Sequence, residues 1–152
     1  MDSQDVIATL RQLSENCRDG EQGLGGCAAR ASHPQLRQLF ERHAGERHQA
    51  AAELQAAIRA LGGQPEPGGS VAGAALCGLP ALQGMPGGDS DLALLEACER
   101  GGDLALARYR RALSQDLPPA VRVLLQRQCD GAQRSHDQVR TLRDQARAAQ
   151  AI

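Results

Sequence analysis

The chain contains no tryptophan and no lysine, and it has one phenylalanine and one tyrosine in 152 residues. An interior built on aromatic packing is therefore excluded, and any core must be filled by Leu, Ile, Val, Ala and small residues. With lysine absent, all seventeen cations are arginines, set against eighteen acidic residues for a formal net charge of −1. They are spread along the chain among the acids, so no field recruits nucleic acid or an anionic membrane surface. No CxxC pair occurs, and the five cysteines are an odd number, which argues against a disulfide framework and a paired-cysteine zinc site. No apolar run approaches the ~18 residues of a membrane span. The start, Met1-Asp2-Ser3-Gln4-Asp5, has no apolar h-region. The expectation is a protein with no signal peptide, placed in a reduced cytoplasm. There Cys17, Cys27, Cys98 and Cys129 serve as small core residues, and Cys77 is the exposed, oxidisable thiol.

What is present is helical periodicity. Val6, Leu10, Leu13, Cys17, Gly20, Leu24, Cys27 and Ala31 step by three and four, as do Leu36, Phe40, His43, Arg47, Ala50, Leu54, Ala57 and Leu61. Both are stripes of one helix face. The spacing predicts helices from about Ser3 to Ala31, Pro34 to Leu61, Asp89 to Ser114 and Pro119 to Ala149. Ser3 is the expected first cap, and Asp89 or Ser90 the third. Ser32-His33-Pro34 and Leu117-Pro118-Pro119 are tight restarts, and Gly62-Gly63 is a helix stop. The stretch from Gly62 to Gly88 is rich in Gly and Pro. It is long for a loop but suits a connection running the length of a bundle, with a short helix possible between Ser70 and Gln83. The expected fold is all-α: one domain, residues 1–152, a ferritin-like antiparallel four-helix bundle of two hairpins joined by a long crossover. The interior glycines Gly20, Gly23, Gly25 and Gly26 imply either a neighbouring helix close to the first one or a break near Gly25-Gly26.

His43 and Arg47 interrupt an otherwise apolar stripe halfway along the second helix. Residues at equal counts from a tight turn lie at equal heights in an antiparallel hairpin. By that count Glu21, His43, Glu46, Glu99, Asp103 and His136 share one slab near the middle of the bundle. They are the candidate metal ligands, for iron or zinc. A carboxylate-bridged di-iron centre needs Glu-x-x-His on two helices, and that motif is absent. A complete ferroxidase site is therefore not expected, no cofactor is assigned, and a salt-bridge network using Arg47 is the competing use of the slab. No Ser or Cys has a spaced catalytic partner.

Several stretches resemble a bacterial family of four-helix-bundle proteins of unassigned function in the ferritin-like superfamily. They are Cys17-Arg18-Asp19-Gly20-Glu21-Gln22-Gly23-Leu24, Glu46-Arg47, Ala52-Glu53-Leu54-Gln55, Leu61-Gly62-Gly63, Gly69-Ser70-Val71-Ala72-Gly73, Glu96-Ala97-Cys98-Glu99-Arg100-Gly101 and His136 to Asp144. The resemblance implies the bundle and crossover, and by superfamily analogy metal binding and stress-linked roles. Two departures from the family pattern stand out: Gly102 followed by Asp103 where Glu is usual, and Leu76 to Pro80 where a basic-Gly-Trp stretch is usual. The sequence favours a non-enzymatic bundle that self-associates, as a dimer first, or binds a partner protein. A metal-binding protein is the alternative.

Overall fold

A computed structural model describes residues 1–65 and 90–150. Among them are four helices, α1 (Ser3–Arg30), α2 (Pro34–Ala60), α3 (Asp91–Leu113) and α4 (Pro119–Gln150). The expected short helix between Ser70 and Gln83 lies outside the described residues. The cap of α1 is Asp2 rather than Ser3, its carboxylate accepting from the Asp5 amide at 2.9 Å. Ser90 caps α3 by accepting from the Ala93 amide. At the end of α2, Gly62 takes a φ of 84°, the left-handed region open to glycine. The amides of Gly63 and Gly62 then donate to the Ile58 and Arg59 carbonyls, which closes the helix with a Schellman motif. α1 runs unbroken through its glycines to Arg30.

Side chains fix how the hairpins meet. Asp91, at the start of α3, accepts from the Ser32 and His33 amides at 2.8 and 3.3 Å, so α3 begins beside the α1–α2 turn. At the other end Thr9 donates to Gln115 at 2.9 Å, joining the start of α1 to the α3–α4 turn. The connection from α2 to α3 thus links opposite ends of the bundle, which is the one-crossover topology. α1 packs along α2, α3 along α4, and α1 against α3, while α2 and α4 touch only sparsely.

The interior is divided in two. One apolar cluster joins Val6 to Cys17 of α1 with Leu54 and Ile58 of α2, Leu106 and Tyr109 of α3, and Leu125 of α4. A second, smaller cluster joins Leu24, Cys27, Phe40, Leu94, Leu95 and Val139 around the opposite end. Between them lie the buried polar residues Asp19, His43, Gln128 and His136. The interruption seen in the second helical stripe is this boundary.

Candidate metal centre

The α3–α4 side of the polar band gathers ligands. Glu99 and Asp103 are four residues apart on α3 and share a face, and His136 reaches them from α4. Each offers one ligand atom, and these atoms lie within 4.8 Å of one another. His136 Nε2 is 2.8 Å from Asp103 Oδ1, with the imidazole 2 % exposed and Asp103 59 % exposed. The contact is short but not aligned as a hydrogen bond, and among the described residues neither ring nitrogen of His136 has a hydrogen-bond partner. An orphaned buried polar atom costs about 1–3 kcal/mol, so native interiors rarely keep one. A cation bound between imidazole and carboxylates would remove that cost.

Gly102 makes the arrangement possible. A Cβ at this position would fall 2.7 Å from His136 Cδ2, closer than side chains approach. The absent side chain is the space into which the imidazole packs. Glu99 also pairs with Arg143, which reaches Asp144 at 2.8 Å. One carboxylate charge is thus neutralised, and the charge left suits one divalent ion rather than two.

The other sequence candidates have different partners. Glu21 meets His48 at 3.1 Å on the exposed flank of the first hairpin. His43 is buried and bonds Gln138 of α4 at 2.9 Å, and Glu46 accepts from Ser135 at 2.8 Å. Of the six, the structure gathers Glu99, Asp103 and His136 into one cluster, and it gives Glu21, His43 and Glu46 other hydrogen-bond partners. Burial lowers the His43 pKa, opposed by the Gln138 hydrogen bond and the charge of Glu46, and aided by Arg42 and Arg47. His48 and Gln138 lie off the apolar stripes, so the residue pattern carries no signal for these two contacts.

Below the centre, a relay closes the polar band against the larger core. Tyr109 contacts the Cys17 thiol at 3.4 Å and donates to Gln128 at 2.9 Å. Gln128 donates to the Ala50 carbonyl and to Glu53, and Glu53 is held by Arg127 at 2.9 Å. Burial raises the pKa of both Tyr109 and Cys17, which keeps these two groups protonated and neutral. Above it, a cavity of about 70 Å³ between α1 and α3 is bordered by Asp19, Gly23, Cys27, Arg47, Cys98 and Gly102. The Cys98 side chain lowers the Cys27 pKa against the opposing effect of burial, with help from Arg30.

Comparison with known proteins gives three findings. Among curated proteins, none matches this sequence. Two solved structures share its fold. A point mutant of Dps1 from Mycobacterium smegmatis has a TM-score of 0.76 at 16 % identity, over 93 % of this chain and 96 % of that one. The dodecameric thioferritin, a bacterioferritin-related protein from Bacteroides fragilis, has a TM-score of 0.80 at 15 % identity, over 100 % of this chain and 92 % of that one. The fold is therefore ferritin-like. Residues 5–115 match the model of a family described as Domain of unknown function (DUF2383), and the chain belongs to that family. The match carries Glu99, Gly102 and Asp103 and stops before α4, which supplies His136.

Proposed function

We propose that this DUF2383 member is a non-catalytic, self-associating bundle that holds one divalent transition-metal ion, iron or zinc, on Glu99, Asp103 and His136. The observation that carries the reading is the buried, hydrogen-bond-orphaned imidazole of His136 beside two carboxylates. Mixed nitrogen and oxygen donors suit iron or zinc. Two carboxylates, one already paired with Arg143, fall short of the four carboxylates and two imidazoles of a di-iron centre. Bound metal would supply charge that satisfies His136 and ties α3 to α4, stabilising the fold by mass action. The dodecameric state of the Bacteroides fragilis protein supports self-association, with a dimer as the first unit.

The test uses untagged protein stripped with chelator and titrated with Zn(II), and with Fe(II) under anaerobic conditions. One ion per chain is expected, with a melting-point rise of several degrees at about 100 times Kd. His136→Ala and Asp103→Ala should each weaken binding more than about tenfold. No stoichiometric ion, or full binding by both variants, contradicts the reading. Light scattering checks self-association separately.

A further inference from the structure

Cys27 of α1 and Cys98 of α3 come from different hairpins, yet both border the same cavity, and Cys98 lies near enough to Cys27 to lower its pKa. The other described thiols differ. Cys17 is engaged by Tyr109, and Cys129 is buried and borders the shallow groove of Arg110, Gln126 and Gln133 instead. At about 70 Å³ the cavity exceeds the ~10–15 Å³ needed to seat one water. It therefore has room for a molecule of hydrogen peroxide size and for the short approach two sulfurs make on bonding. Gly23, Gly101 and Gly102 on its wall present no side chain to block that approach.

We infer that Cys27 and Cys98 form a redox site at which peroxide converts the paired thiols into a disulfide stapling α1 to α3. The Cys27 sulfur attacks one peroxide oxygen. An S–O bond forms, the O–O bond breaks, and the departing hydroxide leaves as water with the Cys27 proton. The Cys98 sulfur then attacks the Cys27 sulfenic acid. The S–S bond forms, the S–O bond breaks, and the hydroxyl leaves as a second water with the Cys98 proton. Peroxide gains two electrons and the two thiols lose them. The resulting crosslink closes a loop of roughly 70 residues between the hairpins, long enough to constrain the unfolded chain strongly.

The experiment treats full-length protein, with chelator present so that metal plays no part, with stoichiometric hydrogen peroxide, then alkylates, digests and maps it by mass spectrometry. The expected product is a reductant-reversible link, two hydrogens lighter, between the peptide 19–30 and the segment holding Cys98. A second protease separates Cys98 from Cys77. The oxidised protein should melt roughly 5–10 °C higher than the reduced form. Cys27→Ser and Cys98→Ser should each abolish both the link and the rise, and Cys27→Ala serves if the serine variant misfolds. Over-oxidation of Cys27 without a link, or a link from Cys27 to Cys17, Cys77 or Cys129, overturns the inference.

Discussion

The two hairpins solve the same packing problem with different chemistry. In each, a glycine on the first helix accommodates a polar side chain from the second. A Cβ on Gly20 of α1 would lie 3.6 Å from the Arg47 side chain, whereas one on Gly102 of α3 would strike the His136 ring at 2.7 Å. The first hairpin thus puts a permanent cation in the polar band, and its carboxylate–imidazole pair, Glu21 and His48, is left on the solvent flank with His48 71 % exposed. The second hairpin buries a neutral-capable imidazole among carboxylates. An exposed carboxylate–imidazole pair is screened and solvated, whereas the buried imidazole of His136 is not. The same residue types therefore give an ordinary surface contact on one side and a candidate metal centre on the other.

The largest way to break this contrast is to fill Gly102. Gly102→Ala should displace the His136 ring, costing about 1–3 kcal/mol through overpacking and weakening Zn(II) binding more than about tenfold. Gly20→Ala meets only ordinary contacts and should be neutral, or stabilising by up to about 1 kcal/mol through helix propensity. Paired thermal melts and metal titrations of the two variants check both. Equal losses in the two would mean the hairpins are equivalent.

A second comparison uses pH. The folded-state pKa of His43 is depressed, chiefly by burial, so the unfolded chain binds the proton more readily. The stability this residue contributes is complete above the unfolded value near 6.5 and is lost as pH falls from there through the folded value. Melting points measured between pH 7.5 and 5 should fall, and His43→Gln should flatten the fall. An unchanged slope in His43→Gln contradicts the assignment.

The smallest effect separates glycines that touch something from those that do not. Among the described residues, a Cβ on Gly25 meets nothing within 4 Å. Gly25→Ala should therefore stabilise by roughly 0.5–1 kcal/mol through lost unfolded-state freedom, seen as a small rise in denaturation midpoint at constant slope. A destabilised variant would mean that α1 is covered there.

Much of this was legible in the residue pattern, and the part that was not has one physical cause. The stripes and tight restarts define four helices, and counting from the turns gives heights, which is how Glu21, His43, Glu46, Glu99, Asp103 and His136 come to be expected in one slab. Height is not direction. Each residue turns the helix by about 100°, and helix rotation decides which neighbour a side chain meets. That is why Glu21 faces His48 rather than His43, and why His43 crosses to Gln138. Gly102 shows the same limit. In sequence it reads as a lost carboxylate, and in space it is the room that His136 occupies. The Cys27–Cys98 contact joins residues from two hairpins, and no local pattern encodes such a pairing.

The most direct test of the metal centre follows the four histidines individually, by NMR of ¹⁵N-labelled imidazoles during Zn(II) titration. The ring nitrogens of His136 should shift and saturate at one ion per chain while those of His33, His43 and His48 stay in place. Saturable shifts at His48 or His43 with His136 unmoved would contradict a centre on Glu99, Asp103 and His136.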